Sequence, residues 1–276
     1  MTDWLSVCRE GTQAVRGVVA GLLTRVEREP SLRVGVGGDE TTAIDEAAER
    51  AIVERLEALH ASGVDFTLVS EELGERRFGA AAEGLVVVVD PIDGSMNAKR
   101  GIPFFSVSIA VAEGPAMRDV VFGFVADLGT GEEWTARRGE GAFLDGHPLE
   151  GPGPKEEIEI LSFEATTTAE IASRAEAMQG FAVRLRVMGS LALSLCHLAA
   201  GRVDAVCSLK PIRSVDIAAA QLLCRERGLV LELPDAPTLD DHPLDLVGRS
   251  RIAAGASASV CAELSTRLGA WRPDGA

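Results

Sequence analysis

Residues 87–97, Val-Val-Val-Asp-Pro-Ile-Asp-Gly-Ser-Met-Asn, join an apolar run to two closely spaced carboxylates. The valines predict a buried strand that ends at Asp90, and Pro91 and Gly94 predict a tight turn after it. Carboxylates held this close repel each other unless a cation lies between them, and hard oxygen ligands suit Mg²⁺ or Mn²⁺ better than zinc. Asp and Gly also dominate ordinary turns, so this stretch alone leaves open that Asp90 caps a turn and Asp93 is solvated.

Other acidic residues favour a ligand site at this strand end. Glu71 and Glu72 directly follow the preceding predicted strand and can reach the same edge, which is where α/β proteins bind their ligands. Asp216 begins a predicted helix in the second half of the chain. Taken alone, Asp216 is more typical of a helix cap or of an acid favoured by the helix dipole. The set of acids, however, predicts a site for a hard cation.

Hydrophobic periodicity predicts alternating helices and short apolar strands. Helices are predicted at about residues 3–28, 42–61, 167–178, 190–200 and 215–226. Strands are predicted at residues 66–69, 85–89, 105–112, 120–126, 158–163, 182–187, 203–208 and 229–233. The alternation in the second half is typical of an α/β layer with mostly parallel strands.

Residues 150–157 contain two prolines and two glycines and predict a linker between two halves. We therefore divide the chain into an N-terminal α+β half, residues 1–150, and a C-terminal α/β half, residues 151–276. The N-terminal half carries most of the candidate metal ligands, and the C-terminal half supplies Asp216 and substrate contacts.

Composition limits the classes of function. The chain has 276 residues, 46% of them hydrophobic, and a net charge of −15. The hydrophobic fraction excludes a disordered chain, and the negative charge argues against a nucleic-acid partner. Five cysteines without a CxxC pair indicate neither a disulfide framework nor a zinc site. No signal peptide and no apolar run of about 20 residues is recognisable, so we expect a cytoplasmic protein without a membrane partner.

Several separated motifs resemble the inositol monophosphatase-like family of Mg²⁺-dependent, lithium-sensitive sugar phosphatases. Residues 90–97 are similar to its first signature, with Ser95 where Thr is usual, and residues 215–220 to its second, with Val215 where Trp is usual. The pair Glu71-Glu72, the hairpin at residues 138–142 and the segment at residues 244–252 also match. The resemblance runs from about residue 35 to residue 255.

The resemblance implies an α/β (α+β) fold, a layered αβαβα sandwich, and two or three bound Mg²⁺ ions with Mn²⁺ as a possible substitute. Glu71, Asp90 and the Ile92 carbonyl would hold one ion. Asp90, Asp93 and Asp216 would hold another, with Asp90 bridging the two. Glu72 would be an outer contact or a ligand of a third ion. Asn97 would support the ligands without binding an ion itself.

The resemblance also implies catalytic roles for Asp45, Ser95 and Glu71. The Ser95 hydroxyl would position the attacking water, and Asp45 would pair with that hydroxyl and help to deprotonate the water. Asp45 also lies three residues after Thr42, the spacing of a capping box, and both roles can coexist. The backbone N–H groups of Gly94 and Ser95 would bind phosphate oxygens.

Substrate contacts are implied for Asp93, Gly94, Ser95 and Asp216, and for a Gly-Ser pair that meets substrate hydroxyls. That pair is Gly189-Ser190, although Ser190 is also typical of a helix cap. Arg184, Arg186 and Arg213 are candidate contacts for an anionic group, because Arg forms bidentate bonds to phosphate. A solvated strand end or surface ion pair is the alternative for each of them.

The branch of the family decides the expected substrate. The acid that vertebrate-type members use to hold inositol would fall near Ser208 or Leu209, and neither is acidic. Residues 35–45 and 189–205 are more similar to the archaeal branch, whose members hydrolyse both fructose 1,6-bisphosphate and inositol 1-phosphate. This predicts a phosphoric monoester hydrolase with a phosphorylated sugar or polyol as substrate and a homodimeric assembly.

Two alternatives stay open. The first is a 3′(2′),5′-bisphosphate nucleotidase or NADP phosphatase of the same fold. The chain offers few aromatic platforms for a base, with nine Phe, three Trp and no Tyr. The second is a non-catalytic interaction protein on this scaffold, since fold does not fix function. A dehalogenase-type phosphatase is disfavoured, because its motif spaces the aspartates two residues apart.

Overall fold

The computed structural model describes residues 2–36, 40–79 and 84–270. The helices are α1 (Trp4–Gly21), α2 (Arg25–Arg28), α3 (Ala43–Ala61), α4 (Ser95–Arg100), α5 (Thr168–Ala175), α6 (Leu191–Ala199), α7 (Ser214–Glu226) and α8 (Ala258–Leu268). The strands of the first half are β1 (Ser31–Val34), β2 (Glu40–Thr42), β3 (Phe66–Ser70), β4 (Gly74–Phe78), β5 (Val86–Asp93), β6 (Ser106–Ala112), β7 (Val120–Asp127), β8 (Glu133–Arg137), β9 (Gly141–Leu144) and β10 (His147–Pro148). Those of the second half are β11 (Ile158–Glu164), β12 (Ala182–Arg186), β13 (Ala205–Ser208), β14 (Val230–Glu232) and β15 (Ala253–Gly255).

Two large sheets organise the chain. The first has the strand order β10-β9-β8-β7-β6-β5-β3-β4, in which β3 and β5 are parallel and the other neighbours antiparallel. The second has the order β12-β11-β13-β15-β14. A separate two-stranded sheet joins β1 to β2 ahead of α3. The long central strand β5 ends in the acidic motif, which places that motif at an edge of the first sheet.

Five layers stack in the order helix, sheet, helix, sheet, helix. Helices α1 and α3 cover one face of the first sheet, α6 and α7 lie between the sheets, and α8 covers the outer face of the second sheet. Side chains alternate along β5 accordingly. Val87 and Val89 pack toward α1 and α3, whereas Val88 packs toward α6 and α7. The predicted αβαβα sandwich is confirmed.

The two halves of the chain share one core. Residues 149–157, which include the predicted linker, form neither helix nor strand. Leu195 of α6 and Leu223 of α7 nevertheless pack in the same buried cluster as Val88 and Val125 of the first sheet. Helices α6 and α7 therefore begin at the edge of the first sheet where β5 ends.

Some predicted elements differ in the structure. The helix predicted at residues 3–28 is divided, because a capping box between Thr24 and Glu27 starts α2 as a new helix after α1 has ended. Periodicity did not predict β1, β2, the charged strand β4, β10, β15 or helix α8. It did not predict β8 and β9 either, which flank the hairpin that the family resemblance placed at residues 138–142. In the second sheet four of the five strands point the same way, as predicted, and β15 runs against its two neighbours.

No helix in the described ranges is long and apolar enough to cross a bilayer. All five cysteines are buried with free thiols.

Candidate active site

The end of β5 presents Asp90 and Asp93 to one cavity because the strand carries a bulge. Asp90 faces Ser108 of β6 and Asp93 faces Ser106, so three steps along β5 match two along β6. Without the extra residue, side chains three positions apart would point to opposite faces of the sheet. The Ile92 N–H donates to Asp90 Oδ1 at 3.0 Å, which fixes that carboxylate beside the turn.

Asp93 is held by the N-terminus of α6. Its carboxylate accepts hydrogen bonds from the Ser190 hydroxyl, from the Ala192 N–H at 2.8 Å and from the Leu191 N–H at 3.3 Å. Ser190 also caps α6 by accepting from the Leu193 N–H. The predicted helix cap is therefore present, and the hydroxyl of Ser190 is turned to Asp93.

Glu71 and Asp216 meet at a buried arginine. Arg213 Nη2 lies 2.6 Å from Glu71 Oε1 and 3.5 Å from Asp216 Oδ1. The Arg213 N–H donates to Asp216 Oδ2 at 2.7 Å, so the Asp216 carboxylate caps the first turn of α7. Glu71 follows β3 while Asp216 lies on α7, so this contact joins the two halves of the chain.

Asp45 and Ser95 line the same cavity, but each is hydrogen-bonded to a residue other than its predicted partner. Asp45 Oδ2 accepts from the backbone N–H and the hydroxyl of Thr42, the predicted capping box. Ser95 Oγ donates to the Ile92 carbonyl at 3.0 Å, not to Asp45. Asp45 Oδ1 is buried and has no hydrogen-bond partner within the described residues.

Glu72 and Asn97 support the site from outside the acid cluster. The Thr41 hydroxyl donates to Glu72 Oε2. Asn97 Nδ2 donates to the Phe104 carbonyl at 2.8 Å and to the Met188 carbonyl at 2.7 Å, so it ties α4 to the segment that contains Gly189.

These residues line two adjoining cavities. The first, of about 410 Å³, is lined by Glu40, Asp45, Glu71, Glu72, Asp90, Ile92, Asp93, Gly94, Ser95, Met96, Lys99, Arg213 and Asp216. The second, of about 420 Å³, shares Asp93, Met96 and Asp216 with it and extends to Gly189 and Glu164. A larger cavity, of about 1120 Å³, lies beside β14 and α8 and contains none of the predicted site residues.

Arg184 and Arg186 lie away from both cavities. They are on β12, the outer strand of the second sheet, and are exposed. Arg184 pairs with Glu159 at 3.1 Å, and Arg186 Nη1 donates to the Leu185 carbonyl. Of the three predicted arginines, the structure brings only Arg213 to the acid cluster. The glycines at 37 and 38 and Asp39 of the archaeal-like loop lie outside the described residues.

Crowding and burial shift the titration of the acids. Burial raises the pKa of Glu71 to about 8, against the attraction of Arg213, and the charge of Asp216 adds to the rise. Burial, with neighbouring negative charges, raises the pKa of Asp93 to about 7 and also raises the pKa of Asp90. Such a cluster is stabilised in its ionised form only by added positive charge.

The donor set fits a hard divalent cation by its chemistry. The four carboxylates of the predicted ligand set line one cavity together with Ile92, and Asp45 offers an unpartnered oxygen. Within the described ranges, however, no three Asp, Glu, His or Cys side chains converge on one point as a closed ligand set. Glu71 is turned to Arg213 and Asp93 to Ser190, so protein donors occupy part of their bonding capacity.

Two charged cavity residues with a clear place in the site, Glu164 and Lys99, were not predicted as site residues from the sequence. Glu164 ends β11, is buried, and accepts from the Ser162 and Ser194 hydroxyls and from the Gly189 N–H. An acid at the carboxyl end of an apolar strand was a usable signal, the same one that identified Asp90. Lys99 lines the first cavity one helical turn after Ser95, and a lone lysine carries no sequence signal.

The chain is similar to known phosphatases along most of its length. The model of the inositol monophosphatase family matches residues 5–267. A fructose-1,6-bisphosphatase/inositol-1-monophosphatase of Methanothermobacter thermautotrophicus is 32% identical over 237 residues, 83% of each protein. A bifunctional NADP phosphatase/NAD kinase of Methanococcus maripaludis is 29% identical over 220 residues, 71% of this chain and 37% of the relative.

A solved structure supports the same assignment. The crystal structure of an inositol monophosphatase–fructose 1,6-bisphosphatase superimposes with a TM-score of 0.82 at 25% identity and covers 96% of this chain and 100% of that one. The residues matched by the family model, 5–267, include every acid of the cavity. This chain belongs to the inositol monophosphatase family.

Proposed function

We propose that the chain is a metal-dependent phosphomonoesterase that hydrolyses fructose 1,6-bisphosphate and inositol 1-phosphate. The observation that carries the proposal is the meeting of Glu71, Asp90, Asp93 and Asp216, from three separate segments, at one cavity. Carrying this many like charges in one place costs stability, and a cation-dependent reaction gives a reason for that cost. The family and its archaeal relative point to the same substrates.

In this proposal the chain holds two or three Mg²⁺ ions, and Mn²⁺ can substitute. Glu71, Asp90 and the Ile92 carbonyl hold one ion, and Asp90, Asp93 and Asp216 hold a second, with Glu72 as an outer contact. When bound, the ions supply the positive charge against a phosphate ester that a chain of net charge −15 otherwise lacks.

The chain's own residues position the reactants. The free oxygen of Asp45 accepts a proton from the attacking water, which the Ser95 hydroxyl orients once it turns from the Ile92 carbonyl. Glu71 helps to place that water. The N–H groups of Gly94 and Ser95 hold phosphate oxygens.

The second cavity receives the rest of the substrate. Gly189, with Asp93 and Asp216, lines it and meets the substrate hydroxyls, and Asn97 keeps Gly189 in place through the Met188 carbonyl. Ser190 is buried and lines neither cavity, so we assign it the positioning of Asp93 and no substrate contact. Of the three candidate arginines, Arg213 lines a cavity of the site, so we assign the contact with an anionic group to it. We assign no such contact to Arg184 or Arg186, because neither lines a cavity of the site.

A phosphate-release assay tests the proposal. Purified protein would be given fructose 1,6-bisphosphate, inositol 1-phosphate, adenosine 3′,5′-bisphosphate or NADP, with Mg²⁺ or with EDTA. We expect Mg²⁺-dependent turnover of the first two. Asp93→Asn should lower kcat/KM by about 100-fold or more, since it removes a proposed ligand. Asp240→Asn, which removes one carboxylate at an exposed position, is the matched control.

The other outcomes choose between the alternatives. Turnover of only the nucleotides would keep the acid cluster but replace the substrate, in line with the NADP phosphatase relative. No turnover by folded protein would favour the interaction protein.

We also propose a homodimer in the cytoplasm. Among the described residues no strand pairs with the outer edge of β12 in the second sheet, and Val183 on it is 73% exposed, so a second copy could pair there. A mass in solution of twice 29.0 kDa would support the dimer, and a mass of one chain would contradict it. Five free thiols suit a reducing compartment, which cell fractionation would test.

A further inference from the structure

Arg213 occupies an unusual place for an arginine that contacts a substrate. Its side chain is buried, and its guanidinium contacts Glu71 at 2.6 Å and approaches Asp216 to 3.5 Å. Both acids are metal ligands in the proposed function, on which this inference rests. One protein cation therefore touches carboxylates from both proposed ion sites.

The backbone holds Arg213 in this place. It precedes the first residue of α7, and its N–H bonds to Asp216 at 2.7 Å, so the guanidinium and Asp216 belong to the same capped turn. Glu71 lies at the end of β3, across the interface of the two halves. The guanidinium thus has a defined position relative to both acids.

A guanidinium keeps its charge at every pH at which the protein is folded. An ion that binds to Glu71 must either displace the guanidinium from Oε1 or share that carboxylate with it. The described residues contain no closed set of three acidic, His or Cys ligands, and the contact of Arg213 with Glu71 accounts for part of that geometry.

We propose that Arg213 is a built-in competitor of the divalent cation: it neutralises Glu71 and Asp216 before loading and is displaced from Glu71 when the ion binds. The contact weakens metal binding at this end of the cavity. It also lets the acid cluster fold without a cation.

Mg²⁺ titration by calorimetry tests this directly and does not depend on turnover. The titration would be done at pH 9, where protons compete least for the carboxylates. Arg213→Met should bind Mg²⁺ about tenfold more tightly than the wild type, the effect of removing one close charge contact. Arg213→Lys, which keeps the charge, should stay within about threefold of the wild type.

Lys99→Met is the matched control. It also removes one positive charge from the lining of the same cavity, and within the described residues no contact of Lys99 with Glu71 or Asp216 is seen. A tightening confined to Arg213→Met supports the proposal. Equal tightening in Lys99→Met would show a general field effect and overturn it, and so would unchanged or weaker Mg²⁺ binding by folded Arg213→Met.

The result is distinguishable from failure of the proposed function. If the wild type hydrolyses the sugar phosphates with Mg²⁺ but Arg213→Met binds Mg²⁺ as the wild type does, the competitor role of Arg213 is overturned and the proposed function stands. A wild-type protein that binds no Mg²⁺ overturns both.

Discussion

Single residues of the cavity differ in what holds their charge. Asp93 accepts three hydrogen bonds from the start of α6, and Glu71 contacts a guanidinium. Asp45 has one oxygen in a capping box and one that is buried without a partner in the described part of the chain. A buried unpartnered carboxylate oxygen is costly, so its place beside the acid cluster indicates a use for it.

Asp45→Asn tests that use. We expect kcat to fall by about 100-fold or more with little change in KM, because the amide cannot accept the proton. The amide oxygen still accepts from Thr42, so the melting temperature should stay close to that of the wild type. Steady-state kinetics and thermal unfolding of the same preparation measure both.

Glu46→Gln is the control for this variant. Glu46 lies next to Asp45 in the first turn of α3 and pairs with Arg33 on the surface at 3.7 Å. We expect its kcat to stay within about twofold of the wild type. A similar loss of kcat in both variants would assign the effect to the charge at the start of α3 and remove Asp45 from the mechanism.

The candidate site was predictable where its chemistry is local in sequence. Asp90 and Asp93 lie within one turn whose proline and glycine are themselves signals. The contact of Arg213 with Glu71 joins residues 142 positions apart, and no pattern near either residue indicates it. The predicted pairing of Asp45 with Ser95 is not the one seen, because Ser95 Oγ donates to the Ile92 carbonyl within the same turn.

Whole elements were predicted where periodicity is strong. Helix α3 begins within one residue of its predicted start, because Ile44, Ala48, Ile52 and Leu56 repeat every four residues behind a capping box. Strand β4 was not predicted because Glu75, Arg76 and Arg77 are exposed at a sheet edge and show no alternation of apolar and polar residues. The short strand β15, Ala253–Gly255, is fixed by pairing with β13 and β14, which is information from distant parts of the chain.

The turn between β5 and α4 depends on Gly94. Its φ is +95°, and a Cβ there would lie 2.9 Å from the Gly189 carbonyl oxygen. Gly94→Ala combines backbone strain with a backbone clash, and should lower the free energy of unfolding by about 3 kcal/mol or more. Urea unfolding, followed by circular dichroism, measures this.

Gly63→Ala separates the two causes. Gly63 has a similar φ of +101°, but a Cβ there meets no atom of the described residues within 4 Å. We expect a loss of only about 1–2 kcal/mol, the cost of the left-handed backbone alone. Equal losses in the two variants would mean that the approach of Gly189 to the turn contributes nothing.

The whole molecule must hold its acid cluster together against its own charge. The folded protein raises the pKa of Glu71 to about 8 and that of Asp93 to about 7, chiefly by burial. A carboxyl whose pKa is higher in the folded than in the unfolded chain binds more protons when folded. Its contribution to stability is complete below about pH 4 and is lost as the pH rises through 7 to 8.

Without a divalent cation, therefore, the melting temperature should fall between pH 6.5 and pH 8.5. Mg²⁺ binds the ionised carboxylates and not the protonated ones, so it should raise the melting temperature more at pH 8.5 than at pH 6.5. Thermal unfolding in EDTA and in saturating Mg²⁺ at the two pH values measures both effects.

A variant that keeps the other titrating groups separates this effect from theirs. Burial lowers the pKa of His197 and His242, so they raise stability as the unfolded chain loses its remaining histidine protons above pH 6.5, which is opposite in sign to the expected fall. Burial raises the pKa of the cysteine thiols, which lowers stability only near and above the pKa of an unfolded thiol, about 8.5. Asp93→Asn removes one of the acids and should reduce the fall with pH in EDTA. A melting temperature in EDTA that is constant over this range, or a Mg²⁺ effect equal at both ends, would show that the cluster does not carry this charge cost, and the metal-binding role of its acids would have to be given up.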